Sequence, residues 1–157
     1  MPTTEADRMA EVAPTNLLGT DMLLVSAVAL IDRDGRVLLS QRPEDKPMGG
    51  LWEFPGGKIE PGETPETALI RELDEELGIN TAAACLAPLS FASYSYGAIK
   101  KRQAFHLLML LFVCRRWEGW PRPIEGGKLK WVQPQKLRDY PMPDADIPLI
   151  AVLQDLL

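Results

Sequence analysis

The sequence is poor in sulfur and in histidine, and it lacks any apolar run of membrane length. Its only two cysteines, Cys85 and Cys114, stand far apart in a chain of 157 residues. That is too few for a disulfide framework, and their separation does not fit a zinc site, so both are expected to be buried thiols. The single histidine, His106, lies inside an apolar strand and reads as a satisfied core residue in preference to a catalyst. The longest apolar stretches, Leu107 to Val113 and Met22 to Ile31, fall well short of the ~20 residues that a membrane-spanning helix needs. Residues 1–20 carry Glu5, Asp7 and Glu11 against Arg8 alone, without the basic start and apolar middle of a secretory signal, and a cytoplasmic location is expected. Basic charge is also scarce: 17 Lys and Arg against 22 Asp and Glu give a formal net charge of -5. This excludes a protein that holds a nucleic acid polymer by neutralising its phosphates. A small phosphate-bearing substrate would need a metal or a local basic patch.

What is present suits one domain, since a chain of this length can bury roughly 70% of its unfolded surface without staples. Residues 1–20 hold Pro2 and Pro14, show no sustained period and are expected to form a flexible extension, leaving 21–157 as a single domain. Two β-branched, apolar runs, Met22 to Ile31 and Val37 to Gln41, flank an Asp34-Gly35 turn and read as a hairpin. That turn is no calcium loop, because the later acidic positions are missing. Residues 42–62 are rich in proline and glycine and read as a loop around a short strand, Leu51 to Phe54, ending in a turn. Thr64 then caps a helix over Pro65 to Leu77, with proline first, Glu66 near the positive dipole end and Gly78 as the stop. Strands follow at Leu86 to Tyr96, Ala104 to Cys114 and Lys128 to Val132, and an amphipathic helix at Pro148 to Leu157 starts near Asp146. Strands and helices without regular alternation predict an α+β or layered α/β/α sandwich, a mixed sheet between helices.

At about 100° per residue, Glu72, Glu75 and Glu76 fall within about 100° of one another, while Leu69, Ile70, Leu73 and Leu77 form a separate stripe. Three like charges on one face repel, and a bridging hard cation would relieve the repulsion. Alone, the triplet favours an ordinary solvated face, since surface helices are full of Glu. What precedes it is specific: Gly57, five residues, Glu63, seven residues, Arg71-Glu72, Leu73, any residue, Glu75-Glu76, any residue, Gly78 and Ile79. This spacing resembles the Nudix box at every defining position. The resemblance implies a metal-dependent hydrolase of nucleoside-diphosphate-type substrates, acting on a small-molecule nucleoside triphosphate as a monomer or homodimer. It implies Mg2+ (or Mn2+) held by Glu72, Glu75 and Glu76 with the Gly56 carbonyl, and an ion pair of Glu63 with Arg71 that fixes the loop against the helix. Arg71, about 100° from Glu72, is expected to reach back along the loop without disturbing the ligand face. Glu72 is one general-base candidate among these carboxylates.

Outside the box, Leu38 to Pro43 and Gly50 to Glu63 are similar to the MutT-type branch, which acts on oxidised guanine nucleotides or on CTP. The resemblance makes Arg42, Phe54 and Asp146 substrate-binding and Glu125 an outlying metal ligand or base. Alternatives stand beside each: Arg42 as an exposed strand-end charge, Glu125 as a solvated loop acid, Asp146 as a helix cap. Where the oxidised-guanine enzymes carry Asn, this chain has Asp146; an ionised Asp only accepts hydrogen bonds, which favours a base edge rich in donors, such as cytosine. Either reading of the base implies pyrophosphate release from a triphosphate, and a non-catalytic nucleotide sensor is the alternative of another class. Trp52, Trp117, Trp120 and Trp131 are expected to be mostly core or rim. Lys100, Lys101 and Arg102 read as a solvated basic turn or a phosphate contact.

Overall fold

Strand β1, Asp21–Leu30, is covered on both faces over its second half, Ala27 to Leu30, which is apolar throughout, while Met22 and Leu24 near its start are exposed. Ala27, Ala29 and the following Ile31 join one core cluster, while Val28 and Leu30 join another on the opposite side. The fold comes from a computed structural model that describes residues 21–98 and 104–157. The expected N-terminal extension and the run Lys100, Lys101 and Arg102 lie outside the described residues.

The other strands are β2 (Val37–Gln41), β3 (Trp52–Glu53), β4 (Gly56–Lys58), β5 (Ala87–Tyr96), β6 (Phe105–Cys114) and β7 (Lys128–Val132), and the helices are α1 (Pro65–Leu77) and α2 (Ile147–Leu156). They divide into two sheets, where the sequence suggested one. A four-stranded mixed sheet has the order β4-β1-β6-β5, with β1 parallel to β6 and the outer pairs antiparallel. A three-stranded antiparallel sheet has the order β3-β2-β7. Helix α1 presses Leu69, Leu73 and Leu77 onto Val28, Leu30, Leu38 and Phe112. Helix α2 presses Leu149, Ile150 and Leu153 onto the other side, against Ala27, Leu39, Met109 and Leu111. The result is the helix-sheet-helix layering expected.

Helix α1 has the expected bounds: Thr64 Oγ1 accepts from the Thr67 N–H at 3.1 Å, and Gly78, at φ 67, turns left-handed to end it. Strand β4 was expected to be a turn. Its glycines leave no side-chain period, and only the pairing of Gly56 with Ala27 and Gly57 with Ser26 makes it a strand. Strand β3 is shorter than the expected Leu51 to Phe54, and α2 begins at Ile147, one residue early. Short 3-10 turns at Ala83–Cys85 and Pro134–Asp139 had no sequence signal. Cys114 is buried as expected, whereas Cys85, in the first of these turns, is half-buried. His106 is no core residue: it is half-exposed on β6 and satisfied by the Ser93 and Ser95 hydroxyls of β5. Among the described residues no helix is long and apolar enough to cross a membrane.

Candidate active site

The loop before α1 is held by a guanidinium fork. Arg71 Nε and Nη2 donate to the two Glu63 carboxylate oxygens at 2.8 Å each, and Nη2 also reaches the Lys58 carbonyl at 3.2 Å. Bidentate geometry makes this a strong type of ion pair. The Arg71 hydrogen bonds, followed by the Glu60 N–H, lower the Glu63 pKa to about 2, and Glu63 together with Glu72 keeps Arg71 protonated. The expectation that Arg71 would leave the ligand face alone is overturned. Its Nη1 donates to Glu72 at 2.9 Å and to Glu75 at 3.4 Å. A guanidinium carries five donors, and the two left after the Glu63 and Lys58 contacts fall beside the neighbouring acids on the same helix.

Glu76 turns away from Arg71 into a cleft of about 420 Å3, lined also by Ser40, Gln41, Arg42, Lys46, Glu53 and Glu125. Burial first, then the charges of Glu72, Glu53 and Glu125, push the Glu76 pKa up to about 9, partly offset by the Gly56 N–H. Three acids, Glu53, Glu76 and Glu125, thus share one cleft with Arg42 and Lys46, and Glu72 stands close enough to Glu76 to add its charge. Hard oxygen donors in surplus suit a divalent cation such as magnesium, which keeps several waters and asks for few protein ligands. Among the described residues no three acid, histidine or cysteine side chains already close on one point. Arg71 draws Glu72 and Glu75 toward itself, so the face predicted from helix periodicity is split. Gly57 explains one local constraint: a Cβ there would overlap the Glu72 carboxylate.

The loop that carries Glu125 is fastened to the end of α1. Arg122 N–H donates to the Leu77 carbonyl at 2.9 Å and Ile124 N–H to the Glu76 carbonyl at 3.0 Å, satisfying carbonyls the helix leaves open. Glu125 therefore reaches the cleft from a loop anchored on Glu76 itself. Across the cleft, Arg42 Nη1 meets Glu53 Oε1 at 3.3 Å while its Nε donates to the Pro47 carbonyl at 3.0 Å.

Phe54 and Asp146 meet deeper in the molecule. Phe54 is 4% exposed and its ring belongs to the core. Its N–H donates to Asp146 Oδ2 at 3.4 Å. Asp146 is 3% exposed and does not cap α2 with its side chain. Burial, then the Glu53 charge, raises its pKa to about 8, against a smaller opposing effect of the Phe54 N–H. The shift favours the protonated acid, which both donates and accepts, where the ionised form would accept only.

Sequence reasoning missed Glu53. An acid inside the strand fragment Leu51-Trp52-Glu53-Phe54 was the available signal, since a charge amid strand-forming apolar residues needs a partner. Of the tryptophans, Trp117 stacks on Trp131 with centroids 6.0 Å apart and Trp52 meets Tyr140 edge-on, whereas Trp120 is 87% exposed.

The family model for the NUDIX domain matches residues 22–153. The chain belongs to the Nudix family. Among curated Nudix relatives, the CTP pyrophosphohydrolase of Escherichia coli (strain K12) is 38% identical over 136 residues, spanning 86% of this chain and 95% of that protein. The 8-oxo-dGTP diphosphatase of the same strain is 36% identical over 134 residues, spanning 83% and 95%. Among solved structures, the E. coli ORF135 protein superposes with a TM-score of 0.69 at 34% identity, over 92% of this chain and 95% of that one.

Proposed function

We propose that this Nudix protein hydrolyses a nucleoside triphosphate to the monophosphate and pyrophosphate, and that its role is to remove oxidised dGTP from the nucleotide pool. One observation carries the reading: a single cleft holds the carboxylates Glu53, Glu76 and Glu125 together with the Arg42 fork, which meets Glu53, and the acid Asp146 lies near Glu53. Glu72, Glu75, Glu76, Glu125 and the Gly56 carbonyl would hold Mg2+ or Mn2+, which when bound neutralises phosphate oxygens and acidifies a water. Arg42 binds and orients phosphate, for which a planar fork is suited. Glu63 and Arg71 hold the loop and keep Glu72 beneath Gly57. A carboxylate of α1 takes the proton of the attacking water.

Asp146 reads the base. As a protonated acid it pairs with an edge that offers one acceptor beside one donor, as oxidised guanine does with O6 and N7–H, where ordinary guanine has two acceptors. Cytosine, with N3 beside its amino group, presents the same pair, and the CTP pyrophosphohydrolase relative supports that second reading. The protein acts in the cytoplasm as a monomer or homodimer on small nucleotides.

The test is a panel of oxidised dGTP, dGTP, CTP, dCTP, 5-methyl-dCTP and ADP-ribose with magnesium, with products resolved. Selective pyrophosphate release from oxidised dGTP is expected, and Glu76→Gln should lower kcat at least about 100-fold, in the range one lost catalytic group costs. Preference for CTP would move the assignment to the second reading. Undiminished magnesium-dependent turnover in Glu76→Gln would overturn the site.

A further inference from the structure

The acid Asp146 ends a loop, residues 140–146, that runs between the two sheets. Strand β3 of the smaller sheet holds its start: Trp52 N–H donates to the Pro141 carbonyl at 2.8 Å, and the Trp52 ring meets Tyr140 edge-on at 5.4 Å. Strand β5 of the larger sheet holds its end. The Tyr94 hydroxyl donates to Asp144 Oδ2 at 3.1 Å, and the Tyr96 hydroxyl accepts from the Ala145 N–H at 3.3 Å. Both tyrosines project from the same face of β5, two residues apart, so one strand supplies two successive fasteners to the residues just before Asp146. Their rings pack with centroids 4.8 Å apart, and Tyr96 stacks on Phe105 at 5.2 Å, which ties the pair to β6.

We propose that Tyr94 and Tyr96 are positioning residues that set the specificity of the base-reading acid, so that strand β5 helps decide which base is accepted. The inference rests on the assignment of Asp146 to the base. A base-reading group must be held to within a fraction of an ångström to favour one hydrogen-bonding edge over another. The Asp146 carboxyl makes a long contact, 3.4 Å to the N–H of Phe54 just after β3, while its backbone N–H donates to the Pro143 carbonyl at 3.0 Å. The loop is thus held at its start by Trp52, while the two residues next to Asp146 are held by what β5 donates and accepts. Loosening that hold weakens binding of the preferred base and leaves phosphate chemistry untouched, because Glu76 and Arg42 stand on other elements.

Tyr94→Phe and Tyr96→Phe remove one hydroxyl each and keep the rings. In the full-length protein with magnesium, kcat and KM would be measured on the preferred triphosphate and on a disfavoured one. Each variant should raise KM for the preferred substrate about 3- to 10-fold, the size of a net hydrogen-bond contribution, with kcat within about twofold. Selectivity should fall by the same factor. Tyr96→Phe placed on Asp146→Asn should cost nothing further, because residues that act through one group are not additive. A merely structural role would lower melting temperature without moving selectivity. Calorimetric affinities for the two nucleoside monophosphates give the same comparison independently of turnover. Unchanged selectivity in both tyrosine variants, while Asp146→Asn shifts it, would overturn this inference alone. Unchanged selectivity in Asp146→Asn as well would overturn the base-reading assignment and this inference with it. Should Tyr96→Phe fail to fold, the exposed hydroxyl of Tyr94 carries the comparison.

Discussion

Asp146 shows how far a residue's chemistry can depart from its letter. In the unfolded chain its carboxyl has lost its proton by neutral pH, while the folded site favours keeping it, because burial and the nearby Glu53 raise the pKa from 3.8 to about 8. Between those values the folded state binds the extra proton, so stability falls as pH rises through the window and the contribution is gone above the folded pKa. Asp146→Asn keeps the shape and removes the titration. Melting temperature followed from about pH 5 to about pH 9 should fall by several degrees more in the wild type than in this variant, as ~1 kcal/mol moves such a domain by roughly 2–4 °C. Equal slopes would mean that Asp146 is ionised in the folded protein. The same loss of the donor should lower kcat/KM for oxidised dGTP above about pH 8 in the wild type only.

At the scale of elements, strand β4 and helix α1 form one device. Gly57 lies opposite Ser26 in the sheet and beneath the Glu72 carboxylate, which leaves no room for a side chain. Gly57→Ala should displace Glu72 and lower magnesium affinity about 10- to 100-fold, the range seen when the support of a ligand is disturbed. Titration calorimetry checks this, with circular dichroism showing retained secondary structure. Unaltered affinity would separate Glu72 from the ligand set. Helix α1 was readable in advance because Thr64, Pro65 and Gly78 are local signals that act through neighbouring backbone. Strand β4 was not, since its partner lies thirty residues earlier in β1 and glycine carries no alternation. The cleft-lining acid Glu53 was hidden for a related reason: in a strand of two residues its neighbours are Arg42 and Asp146, distant in sequence.

For the whole molecule, acidic excess at one cleft is a standing cost that a cation relieves. An ion bound to the folded chain alone stabilises it by about 2.7 kcal/mol at a hundredfold excess over Kd. Magnesium should therefore raise the melting temperature, a chelator should reverse the rise, and Glu76→Gln should abolish most of it. A melting curve indifferent to magnesium, manganese and chelator would remove the metal from the proposed site.

By itself the sequence determined the layered fold, helix α1 and the spacing of Glu63, Arg71, Glu72, Glu75 and Glu76, because helix periodicity, caps and a fixed motif act over a few residues along the chain. Tertiary structure alone decided the division into two sheets, the split of the carboxylate face by Arg71, the place of Glu53, the burial and raised pKa of Asp146 and the hold of β5 on the two residues before it. Those depend on which distant backbones pair and which charges share a desolvated space, and burial and mutual charge are properties of the folded arrangement, with no period along the chain to announce them.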